Sequence, residues 1–221
     1  MTPKQIRQRL RNVFSTYLGV SSTIATGLVP KAELAGKLYE AHVLSRIVEH
    51  LTNDEGYALT LAGGTKIQLK SSPGPINRNY PRIELRRSGI FVAELWTDIE
   101  FLSLSYCTRG EPTITKGDYH ELDIVIVAAG VSGRPRYDAV WLGIECKNTG
   151  YEKGLLKEIL GIRRELSLLD NPQMTRFGSW PRTTVPANPP SCLLVYSTDA
   201  NVAQYSTPGE VFGIDFIHEA M

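Results

Sequence analysis

Three stretches decide how this chain folds: ELDIVIVAA (121–129), DAVWLGIECKN (138–148) and KGLLKEILGIRRELSLL (153–169). The first is a β-branched run that reads as a buried strand. The turn-rich VSGRPRY (131–137) separates it from a second strand. The third is an amphipathic helix, with Leu155, Ile159, Ile162, Leu166 and Leu169 on one stripe. SCLLVYST (191–198) then reads as a further buried strand and VFGIDFI (211–217) as a last one. Two adjacent core strands, a helix and another strand predict a central mixed sheet flanked by helices, an α/β or α+β fold.

Upstream, QIRQRLRNVFSTYL (5–18) reads as an amphipathic helix through Ile6, Leu10, Val13 and Tyr17. Residues 19–30 are rich in Gly, Ser and Thr and read as a connector ending at Pro30. Residues 33–52 read as a helix, with Leu34, Leu38, Ala41, Leu44, Val48 and Leu51 at helical spacing. Hairpin signals follow. YALTL (57–61) pairs with TKIQLK (65–70), and RIELRR (82–87) pairs through Ser88-Gly89 with IFVAELW (90–96). Phe101–Tyr106 reads as a further strand, and the five prolines of 171–190 as a long irregular segment. Two units are expected: a basic N-terminal helix with its connector over 1–30, and a domain over 31–221.

Composition narrows the class. The 221 residues are 42% hydrophobic, enough to bury a core. No run of about 18 apolar residues occurs, so no membrane partner is expected. Cys107, Cys146 and Cys192 form neither a disulfide framework nor a zinc pattern, which fits a reducing cytoplasm. With 24 Lys+Arg and 23 Asp+Glu the net charge is +1, which argues against a nucleic-acid binder relying on bulk charge. The bases are unevenly placed, however. Residues 1–32 hold Lys4, Arg7, Arg9, Arg11 and Lys31 and no acid.

Asp123 opens an otherwise apolar strand and so calls for a partner. On the next strand Glu145 and Lys147 are two residues apart and share a face, with Cys146 on the other. Two carboxylates brought together repel unless a cation joins them, and hard oxygen ligands select Mg²⁺ or Mn²⁺. There is no phosphate-binding glycine loop and no nucleophile elbow.

GDYHELDIVIV followed by VWLGIECKN resembles the core of the PD-(D/E)XK, or restriction-endonuclease-like, nuclease superfamily: an acid on one strand, then (D/E)-x-K on the next. Leu122 stands where the family name has Pro. Glu40, in KLYEAHVLSRIVEHL, matches the acid that the superfamily often carries on the helix preceding the sheet. The resemblance implies a restriction-endonuclease-like core with extra β-hairpins and Mg²⁺-dependent (or Mn²⁺-dependent) hydrolysis of phosphodiester bonds. The expected substrate is DNA rather than RNA, with no membrane partner, in a restriction or antiphage-defence role. It implies that Asp123, Glu145, the Cys146 backbone carbonyl and Glu40 hold metal, with Lys147 acting on the attacking water. Lys153, Lys157 and Arg164 form a basic stripe on the following helix, and Arg176 and Arg182 lie in the Pro-rich segment; all five are candidates for the nucleic-acid backbone. A homodimer, or a partner docked on the basic N-terminal helix, is expected. The alternative is a non-catalytic nucleic-acid-binding or partner-docking subunit on the same fold.

Overall fold

A computed structural model describes residues 3–20, 35–64, 69, 72–110 and 112–221. The connector over 21–30, the start of the second helix and nearly all of the expected strand 65–70 lie outside the described residues. The elements are α1 (Pro3–Leu18), α2 (Ala35–Asn53), β1 (Ala58–Ala62), β2 (Arg82–Arg87), β3 (Ile90–Leu102), α3 (Leu104–Arg109), β4 (Tyr119–Ala128), β5 (Val140–Lys147), α4 (Lys153–Leu166), β6 (Leu168–Met174), β7 (Thr184–Asn188), β8 (Cys192–Ser197), α5 (Ser206–Val211) and β9 (Ile214–His218).

Seven strands form one sheet in the order β1-β2-β3-β4-β5-β8-β9. The strands β1 to β5 run antiparallel, while β5, β8 and β9 are parallel, so the sheet is mixed but mostly antiparallel. The reason is connection length. A Ser88-Gly89 turn joins β2 to β3 and the loop 129–139 joins β4 to β5, whereas β5 reaches β8 only through α4 and the β6–β7 hairpin. From α2 onward the order is therefore five antiparallel strands, the helix α4 and, past the β6–β7 hairpin, two parallel strands.

Each face of the sheet carries a core. Ile6, Leu10, Val13 and Phe14 of α1 and Leu44, Ile47, Val48 and Leu51 of α2 pack with Leu95, Ile124, Ile126, Leu142 and Ile144. On the other face, Ile159, Ile162 and Leu166 of α4 pack with Ile99, Phe101, Leu122, Val125 and Val195. The N-terminal helix thus shares a core with α2 and the sheet. No described helix is long and apolar enough to cross a membrane.

The chain departs from the predicted elements in several places: β1 pairs with β2, and the strand expected over 211–217 begins only at Ile214, after α5. The strand IFVAELW does not stop at Trp96 but runs on to Leu102. Residues 104–109 then form a helix rather than a strand, because Ser103 caps it by accepting the Tyr106 N–H. The Pro-rich segment contains an ordered β6–β7 hairpin, and the helix over 153–169 ends at Leu166, where β6 takes over.

The extension of β3 is what positions the site. Ala93 and Leu95 belong to the first core, but Ile99 and Phe101 belong to the second. On β4, Ile126 and Ile124 belong to the first core and Leu122 to the second. Strict alternation forbids both assignments, so each strand slips by one residue between the rungs Thr97–Ile124 and Ile99–Leu122. Asp98 and Asp123 lie on the rung between. Asp98 has φ +52°, a left-handed backbone that re-aims its side chain. Leu122, turned to the second core, packs over Gly143, where a Cβ would come within 2.9 Å of the leucine side chain.

Candidate metal centre and cleft

The slip brings two carboxylates face to face, and α2 adds a third. Oxygens of Glu40, Asp98 and Asp123 lie within 4.8 Å of one another. Glu40 and Asp98 are buried at 8% and 0% exposure, so water screens their repulsion poorly. Two donors hold the cluster together. Lys37 Nζ donates to Glu40 Oε2 at 2.7 Å and to Asp98 Oδ1 at 2.5 Å. The Cys146 backbone N–H donates to Asp123 Oδ2 at 2.7 Å.

The titration behaviour follows from this crowding. Burial, aided by the Asp123 and Asp98 charges and opposed by Lys37, pushes the Glu40 carboxyl up to about 7. Burial also raises Asp123, against the Cys146 N–H, which favours its anion. A site that raises its own carboxylates in this way is one where a cation would replace protons. Three hard oxygen donors from three elements fit Mg²⁺ or Mn²⁺.

Next to the trio, an open cleft of about 420 Å³ is lined by Asp123, Glu145 and Lys147 from the sheet, with Lys157, Glu158 and Ile162 from α4. His120 and Glu121 form its outer wall. Burial, then the Asp123 charge, raises the Glu145 carboxyl well above the usual range. Lys147 Nζ lies 2.9 Å from Glu145 Oε2 and 3.0 Å from Glu158 Oε1. Burial pulls the lysine down, but these two carboxylates outweigh it and hold Lys147 firmly protonated.

The predicted residues are distributed as follows. Asp123 joins the cluster and the cleft, and Glu40 joins the cluster. Glu145 and Lys147 line the cleft side by side, but Glu145 is outside the trio, turned to Lys147. The Cys146 side chain packs against the first core. Of the five basic candidates only Lys157 lines the cleft. Lys153 is exposed on the first turn of α4, and Arg164, two turns beyond Lys157, stands at a separate cleft beside β6. Arg176 sits over the Trp141 ring, 5.7 Å from its centre, and Arg182 grips Asp215 with bonds of 2.5 to 2.9 Å. Trp141 is near the start of β5 and Lys147 is at its end, so Arg176 is remote from the cleft along that strand, and Arg182 is held two strands away on β9.

Asp98 and Lys37 are the site residues that motif spacing does not single out. The strand IFVAELWTDIEFL carries Glu94 and Glu100 as well as Asp98, so no lone-acid signal marks Asp98. No protein-family model, curated protein or solved structure matches the chain.

Proposed function

We propose that the protein is a divalent-metal-dependent nuclease that hydrolyses phosphodiester bonds, with DNA as substrate. The observation that carries this reading is the convergence of Glu40, Asp98 and Asp123 beside Lys147, at the rim of a cleft with room for a phosphate. The order of helix, antiparallel meander, helix and parallel strand supports it, since it puts an acid on one strand and Glu145-x-Lys147 on the next, as in the family that the sequence resembles.

In this reading Glu40, Asp98 and Asp123 would hold Mg²⁺ or Mn²⁺, in place of the Lys37 ammonium that bridges Glu40 and Asp98. The bound ion supplies charge neutralisation at the phosphate and a more acidic water. Lys147 faces the phosphate from the cleft and offsets charge developing on its oxygens. Glu145 keeps that ammonium in place. Lys157, on the opposite wall, contacts a neighbouring backbone phosphate. The +1 balance is then uninformative, because such a site needs acids at its centre and bases around them.

A second reading has one observation in its favour. Lys37 already neutralises Glu40 and Asp98, as an internal cation does in a non-catalytic binding subunit. One experiment separates the two: incubation with plasmid, single-stranded DNA and RNA in Mg²⁺ or Mn²⁺, with EDTA controls. The nuclease reading expects metal-dependent loss of DNA that Asp123→Asn and Lys147→Ala each abolish while the protein stays folded. Cleavage retained in both variants, or binding of DNA without cleavage in the wild type, overturns it.

A further inference from the structure

A second cleft lies between the C-terminal half of α4 and the β6–β7 hairpin. Its volume is about 140 Å³, close to the roughly 150 Å³ of an engineered apolar cavity that takes benzene. Leu160, Leu169 and Phe212 supply apolar walls. The polar lining is unusual. Arg163 is 4% exposed, and its guanidinium donates to the Ser191 carbonyl at 2.7 Å and to Ser191 Oγ at 2.9 Å. Among the described residues no carboxylate pairs with it. A buried guanidinium with only neutral acceptors retains an uncompensated charge. Burial accordingly pulls Arg163 down to about 10. Ser167, 3% exposed, also lines the cleft, and its hydroxyl is buried with no hydrogen-bond partner. Arg164 stands at the rim as a second cation.

We propose that this cleft binds a small monoanion with an apolar body, a monocyclic or short-chain carboxylate. The carboxylate meets the buried Arg163 charge and the Ser167 hydroxyl, and the hydrocarbon meets Leu160, Leu169 and Phe212. The volume limits the body to about one ring or a chain of similar size. The site is independent of the metal cluster and does not depend on the nuclease reading.

The test is titration of the full-length protein with benzoate and hexanoate, using benzyl alcohol as the same body without charge and inorganic phosphate as charge without body. Amide chemical shifts over residues 160–169 and the thermal midpoint report binding. Saturable shifts with both carboxylates are expected, with benzyl alcohol and phosphate each at least about tenfold weaker, the factor that a charged hydrogen bond contributes. Arg163→Met weakens benzoate by about tenfold or more; replacing an unpaired buried charge by an apolar chain of similar length leaves the fold intact. Leu160→Trp, which fills the cleft from a partly exposed position, abolishes binding and serves where Arg163→Met does not fold. Equal affinity for benzoate and benzyl alcohol, equal affinity for phosphate, or no saturable binding overturns the proposal.

Discussion

Asp98 holds a left-handed backbone in mid-strand while facing Asp123 across the sheet. Asn tolerates that backbone almost as well as Gly, whereas Ala pays about 1–2 kcal/mol for it. The two substitutions therefore separate charge from conformation. Asp98→Asn is expected to keep stability within about 1 kcal/mol of wild type, because it removes one of three crowded anions while giving up the Lys37 ion pair. Asp98→Ala is expected to lose an additional 1–2 kcal/mol or so in urea denaturation. Both are expected to weaken Mn²⁺ at least about tenfold in calorimetric titration, since a hard cation loses one of three charged ligands. Wild-type Mn²⁺ affinity in Asp98→Asn would remove Asp98 from the metal centre. Asp123, Glu145, Lys147 and Glu40 were legible because each stands in a periodic element whose neighbours are apolar. Asp98 was not, because TDIE (97–100) looks like a break between two strands. The alternation changes phase there, and a fixed period cannot represent a strand that slips by one residue.

At the scale of elements, one carboxylate gathers the tip of the loop 175–182. Glu55, on the turn after α2, accepts the backbone N–H groups of Gly178, Ser179 and Trp180, the Ser179 hydroxyl, and Arg87 Nη2 at 2.8 Å. It ties α2, β2 and the hairpin loop together, and Trp180 stacks on His50 at 4.6 Å beside it. Glu55→Ala removes the acceptor of three N–H groups, on the exposed Gly178 and Ser179 and the half-buried Trp180, and is expected to cost about 1–2 kcal/mol. The matching local readout is faster proteolysis within 175–182. A loss under about 1 kcal/mol with unchanged proteolysis would mean that the loop is held by Trp180 packing instead. This clamp also explains why the hairpin was illegible. Five prolines in 171–190 read as irregular chain, and the acceptor that orders them is more than a hundred residues away. The strands β4, β5 and β8 and the helices α1, α2 and α4 were legible because burial imposes a local period on each. The short α3 and α5 carry too few turns to show one.

Across the whole molecule, the buried acids set how stability responds to pH and metal. Glu40 titrates near 7 in the fold, above its ordinary value of 4.5, and Asp123, Glu121 and Glu145 shift in the same direction. A carboxyl raised on folding stabilises below its unfolded value, and that contribution is lost as pH rises through the folded value. Glu55 and Glu219 shift down, so their contributions are complete above about pH 4.5 and are lost only in acid. Lys37 and Lys147 shift up, so theirs persist to about pH 10. His42, lowered by burial, works against the raised acids below about pH 6.5, where stability grows as the pH approaches its unfolded value. Between about pH 6.5 and 8 only the raised acids slope, and they slope downward. The metal-free protein is therefore expected to lose thermal stability over that interval, and Glu40→Gln is expected to flatten the loss. A cation that replaces those protons reverses the slope, so Mn²⁺ should raise the thermal midpoint more at pH 8 than at pH 6, with proton release on binding. The check is calorimetry with and without Mn²⁺ in two buffers of different ionisation enthalpy. A midpoint shift by Mn²⁺ that does not grow with pH, or no proton release, would show that the cluster is satisfied by Lys37 and takes no metal.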